Sequence, residues 1–128
     1  VKISLDLDGT LLSHMAFFRE FMLAMQGRGH EVGIVTAHRD IHSEADLLLL
    51  KELRFPPPDF CFCRPYKSTL SYAEFKAQTI REQGIDIAFD DCNFGSLEVE
   101  SSIHALLGDQ RHKLFKVTPR FPEATHYE

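Results

Sequence analysis

An α/β fold is predicted by three observations: short apolar runs alternating with helical periodicity, turn chemistry at most junctions, and acidic residues gathered at strand ends. The 128-residue chain holds five candidate strands separated by four candidate helices. That alternation implies a five-stranded, mostly parallel sheet with helices on both faces, because parallel neighbours need a crossover. No repeat, linker or low-complexity stretch interrupts the series, so residues 1–128 read as one domain. The expected architecture is a single Rossmann-like three-layer domain.

The first run, "VKISLDL", is β-branched and leucine-rich, as a strand should be. In "MAFFREFMLAMQGRG", Met15, Phe18, Met22 and Met25 recur at helical spacing, and Gly27 and Gly29 are stop signals. "EVGIVT" is the second strand, followed by "AHRD". A second helix is expected from Ser43 to Leu53, ended by "FPPP", which cannot continue it. "DFCFC" is the third strand, and "RPYKSTL" an irregular connector. Ser71 and Glu74 have capping-box spacing for a third helix, "YAEFKAQTIREQ", with Gly84 at its C-terminal cap. "IDIAFDD" is the fourth strand. A fourth helix spans Leu97 to Leu107 and closes at Gly108, before the last strand "KLFKVT" and the tail "PRFPEATHYE".

Composition excludes several classes. No apolar run approaches the roughly 20 residues that span a bilayer, so no membrane partner is expected. The N-terminus carries no basic-then-apolar secretory signal, and the expected localisation is cytoplasmic. Cys61, Cys63 and Cys92 are the three cysteines, and Cys-x-Cys without a second pair is a poor zinc signal. Alternating with Phe60 and Phe62, they read as small apolar residues of a buried strand, kept as reduced thiols. A net charge of −5 argues against non-specific nucleic-acid binding, and the basic "RHKLFK" reads as a solvated edge.

Ligands of open parallel sheets sit beyond the carboxyl ends of the strands. There the first strand offers Asp6 and Asp8, the second Thr36, His38 and Arg39, and the fourth Asp90 and Asp91, while Lys76 lies on the preceding helix. Clustered carboxylates repel and are driven towards protonation unless a cation sits among them. Magnesium, which prefers oxygen ligands and retains waters, resolves that conflict and leaves Lys76 and Thr36 for a phosphate.

These residues resemble a family. "DLDGT", "VTAHR", Lys76 and "IAFDDCN" are similar, in order and position, to the four motifs of the haloacid-dehalogenase superfamily of phosphatases, from Ile3 to about Asn93. The resemblance implies that Asp6 is the nucleophile and Asp8 the general acid and base, Asp8 favouring phosphoryl chemistry over dehalogenation. It implies that Gly9 permits the turn and Thr10 braces it. Thr36 would hydrogen-bond the phosphoryl group, with backbone N–H groups nearby, Ala37 among them. Lys76 would stabilise charge, with Lys67 of the connector as its competitor. Asp6, Asp8, Asp91 and Asp90 form the implied Mg2+ set, with Asp91 ranked above Asp90 as a direct ligand. Arg39 stands where some nucleic-acid-end phosphatases bind phosphate, while His38 has no required role in the family pattern and reads equally as a substrate contact or an exposed loop histidine.

Only 25 residues separate Thr10 from Thr36 and 39 separate Thr36 from Lys76, so no sizeable cap domain fits. Capless relatives take extended phosphates or close their sites by oligomerising. "FCRPYKSTLSYAEFKAQTI…IAFDDCN" also resembles the phosphatase half of polynucleotide kinases, including its arginine after the third strand, Arg64. The expected substrates are therefore a phosphorylated small molecule or a nucleic-acid end, and a homo-oligomer is an option. The rivals are a degenerate scaffold and a receiver-like regulator, whose phosphoacceptor follows the third strand, where this chain has "CFCRP".

Overall fold

A computed structural model describes residues 1–92 and 101–120. It contains β1 (Lys2–Leu5), α1 (Met15–Gly27), β2 (Glu31–Arg39), α2 (Ser43–Glu52) and β3 (Cys61–Arg64). These are followed by α3 (Tyr72–Glu82), β4 (Ile87–Asp90), α4 (Ser102–Leu107) and β5 (Leu114–Lys116). The sheet order is β3-β2-β1-β4-β5 and every pairing is parallel, so the expected "mostly parallel" sheet is wholly so.

β1 is the central strand because it tolerates burial on both faces. Ile3, Ser4 and Leu5 are all buried, Ile3 pairing with Val32 on one side and Ile87 on the other. The chain runs outward from β1 to β2 and β3, then returns to add β4 and β5 on the opposite side. With right-handed crossovers, that reversal sends α1 and α2 to one face and α3 and α4 to the other. The core divides accordingly. Leu5, Phe18, Met22, Ile34 and Leu50 form one cluster, and Ala77, Ile80, Ala88, Ile103 and Leu107 the second.

Element bounds follow local chemistry. Phe18 and Met22 of α1 are buried, and Met15 and Met25 pack beside them, as their spacing predicts. The capping box of α3 is formed: Ser71 Oγ accepts from the Glu74 N–H at 3.1 Å, and Glu74 Oε1 accepts from the Ser71 N–H at 3.0 Å. α4 begins with Ser101 as its cap. His104, buried in its first turn, reaches the Leu114 carbonyl at 3.0 Å and ties α4 to β5. Residues 97–100 of the expected fourth helix, and 121–128 of the tail, lie outside the described residues.

Two differences matter for the site. β1 ends at Leu5 rather than Leu7, because residues Leu7–Leu11 form a turn in which Gly9 is left-handed at φ 76°. β2 runs on to Arg39 rather than stopping at Thr36, held by pairing with β3 across a register shift between Thr36 and Arg39. Cys61 and Cys63 are half-buried, not buried, because β3 is an edge strand. Among the described residues, no helix is long and apolar enough to cross a membrane.

Candidate active site

The strand order reverses at β1, and the carboxyl ends of β1, β2 and β4 open onto a cleft of about 440 Å³. Asp6, Asp8, Thr36, Ala37, His38, Arg39, Lys76, Asp90 and Asp91 all line it. Nine of the residues singled out from the sequence therefore converge on one rim, as expected of a switch point.

Asp6 directly follows β1, and its N–H donates to the Phe89 carbonyl at 3.0 Å, so β4 holds it in register. Its carboxylate is buried at 5% exposure. Lys76 Nζ donates to Asp6 Oδ1 at 2.9 Å and to Asp90 Oδ2 at 2.7 Å. Thr10 Oγ1 donates to Asp6 Oδ2 at 3.4 Å, bracing the turn. Burial first, and then Asp90, push the Asp6 carboxyl well above the usual carboxylate range, against the pull of Lys76. Burial works against the charge on Lys76, yet Asp6 and Asp90 together outweigh it and hold its pKa above the ordinary value.

The two acids after Phe89 are not equivalent. Asp90 is fully engaged, taking Lys76 on Oδ2 and the Cys92 N–H on Oδ1 at 2.9 Å. Asp91 is equally buried, but its Oδ2 has no hydrogen-bond partner. Burial and the neighbouring Asp90 raise the Asp91 carboxyl to about 7. Carboxylate oxygens of Asp6, Asp90 and Asp91 lie within 4.8 Å of one another. An unpartnered buried oxygen beside two more carboxylates suits a hard cation. Gly9 lets this happen: a Cβ there would collide with the Asp91 carboxylate, and the left-handed backbone disfavours any side chain.

Asp8, also in the implied metal set, stands apart from these three acids. Its carboxylate is outside the three-acid group, because Gly9 turns the chain and His38 takes its side chain. His38 Nε2 lies 2.5 Å from Asp8 Oδ2, and Nδ1 lies 3.1 Å from both oxygens of Asp46 on α2. These bonds, Asp46 first and Asp8 second, raise the imidazole to about 10 against the cost of burial, so both ring nitrogens donate.

Against known proteins, the chain matches no family model, no curated protein and no solved structure.

Thr36 is buried at the end of β2, where its Oγ1 accepts from the His38 N–H at 3.2 Å. Arg39 donates to the Tyr66 carbonyl, and the Ala37 carbonyl accepts from Arg64 Nε at 3.1 Å. Lys67 is not brought to the cleft: it stays exposed on the connector, whereas Lys76 projects from the buried side of α3. Arg64, the arginine after the third strand in the second resemblance, does line the cleft. So do Tyr72 and His42, which the sequence did not single out, and His38, weighed only as a substrate contact or an exposed loop histidine. Arg64 ends β3 opposite Arg39, and its guanidinium sits 4.6 Å from the Tyr72 ring centre. Nothing local links His38 to Asp46, which meet only because α2 folds back against β2.

Proposed function

We propose that this chain is a phosphomonoester hydrolase that works through an aspartyl-phosphate on Asp6 and requires magnesium. The observation that carries the reading is Lys76 shared between Asp6 and Asp90 while the buried Oδ2 of Asp91 lacks a partner. The ordered resemblance to the haloacid-dehalogenase motifs supports it independently.

Asp6 and Asp91 would hold the cation, with Asp90 acting through Lys76. Bound there, magnesium would neutralise the clustered acids and the phosphoryl oxygens. In the first step an Asp6 oxygen attacks phosphorus, the bond to the leaving oxygen breaks, and Asp8 gives that oxygen its proton. In the second, water attacks phosphorus, Asp8 takes the water's proton, and Asp6 departs as carboxylate. A carboxylate nucleophile divides hydrolysis into two easier displacements, and a placed acid/base adds about 10²–10⁴ in rate. Thr36 and the backbone beside it bind the phosphoryl oxygens, and Lys76 favours the ionised form of Asp6 against burial and Asp90. The sheet order supports a hydrolase over a receiver-like regulator: β1, not β3, is central, and β3 ends in Arg64 with no acid.

Phosphate release from p-nitrophenyl phosphate is expected to require magnesium and to vanish in Asp6→Asn with the far-UV spectrum intact. A folded wild-type protein that releases none is instead a scaffold.

A second reading concerns the substrate. The Arg39 and Arg64 guanidinium groups and the rings of His42 and the exposed Tyr72 add cationic and stacking groups to the cleft. They favour a nucleic-acid 3′-phosphate as the physiological ester. Turnover of an oligonucleotide 3′-phosphate should then exceed that of p-nitrophenyl phosphate, and no excess removes this reading.

A further inference from the structure

We infer that His38 is a positioning residue, aiming the Asp8 carboxyl at the leaving group, with Asp46 holding its ring from behind. The inference rests on the phosphatase reading and goes beyond it, since neither the resemblance nor the spacing gives His38 or Asp46 a part.

Asp8 sits on a turn rather than in a strand, with its side chain 34% exposed. Among the described residues, His38 is the side chain that hydrogen-bonds its carboxylate. Left alone, such an aspartate samples several rotamers. Proton transfer needs heavy atoms roughly 2.6–3.2 Å apart, and about 1 Å of misplacement can cost about 10²-fold. The bond to His38 takes Oδ2 and leaves Oδ1 to carry the proton that passes to the leaving oxygen and is then regained from the attacking water.

His38 can fix Asp8 because its own ring is fixed. Both oxygens of Asp46 face Nδ1 at 3.1 Å, and Asp46 is rooted in the first turn of α2 with a side chain only 12% exposed. The line α2, Asp46, His38, Asp8 therefore carries the rigidity of a helix to a residue on a turn. The trio is not a metal site. Its two carboxylates occupy opposite nitrogens of one ring, and the three-ligand group among the described residues is Asp6, Asp90 and Asp91.

The test exploits the leaving group. An alkoxide must be protonated as it departs, whereas p-nitrophenolate leaves without help. With magnesium present, kcat/KM is measured on β-glycerophosphate and on p-nitrophenyl phosphate. This parameter covers the steps through leaving-group expulsion. In His38→Ala, the alkyl-to-aryl ratio of kcat/KM should fall by about tenfold or more, part of the 10²–10⁴ an acid supplies. His38→Gln, whose amide can still donate to Asp8, should recover part of the ratio, and Asp46→Ala should lower it less than His38→Ala does. Residual aryl turnover checks that each variant is folded. Equal losses on both esters, or an unmoved ratio, would overturn the positioning role while leaving the phosphatase reading intact. Wild-type protein that hydrolyses neither ester would end both.

Discussion

Lys76 holds its charge at 8% exposure because two carboxylates meet it, Asp6 at 2.9 Å and Asp90 at 2.7 Å. Neither the lysine nor the acids tolerate that burial singly, since an ion without a partner there loses its water and gains nothing. Lys76→Ala should therefore remove activity and destabilise the fold by about 3–5 kcal/mol, the cost of stranding one side of a buried pair. Urea denaturation checks the stability, and the loss should shrink as pH falls, because Asp6 then takes up a proton. At this scale the sequence was informative wherever a polar residue ended an apolar strand. Asp6, Thr36, Asp90 and Asp91 could be placed on one rim because strand ends converge there whatever the tertiary detail. Lys67 and Lys76 could not be separated with the same force, since which one turns inward depends on the rotation of α3. The contact of His38 with Asp46 was illegible, because it spans the junction between strand and helix, where no periodicity applies.

α3 shows how an element's own chemistry sets the site. Its start is fixed by the reciprocal bonds of Ser71 and Glu74, and Lys76 follows in the first turns. Ser71→Ala removes the side-chain acceptor for the Glu74 N–H and should lower stability by about 1 kcal/mol, read as a fall in the urea midpoint. An unchanged midpoint would mean that packing of Phe75 and Ile80 alone sets the helix start. The bounds of α3 were legible because capping boxes and glycine stops are local devices. β2 was not, since its last three residues stay extended through pairing with an edge strand far along the chain. β1 ran short for the opposite reason: the turn at Gly9 claims Leu7, which looks like a strand residue and is buried as one.

The sheet order gathers Asp6, Asp90 and Asp91 at one buried point, and that concentration couples folding to protons and, under the proposed reading, to a bound cation. Asp91 titrates near 7 when folded, against an ordinary 3.8. Without metal, the folded state thus binds a proton that the unfolded chain gives up above about 4. The stability this group contributes is fully present below pH 3.8 and is lost as pH rises through about 7. Magnesium reverses the sign, because it needs the ionised carboxylate and competes with the proton. As pH falls below about 7 a growing share of Asp91 is protonated, which weakens binding relative to the ionised site. A saturable ligand of the folded state stabilises by RT ln(1 + [L]/Kd), so a fixed magnesium concentration should raise Tm more at pH 8 than at pH 6. Differential scanning calorimetry at the two pH values, with and without magnesium, reads the difference directly. Asp91→Asn should remove it, since the amide neither titrates nor offers the same charge. Equal shifts at both pH values would show that the cation, if it binds, does not draw on Asp91.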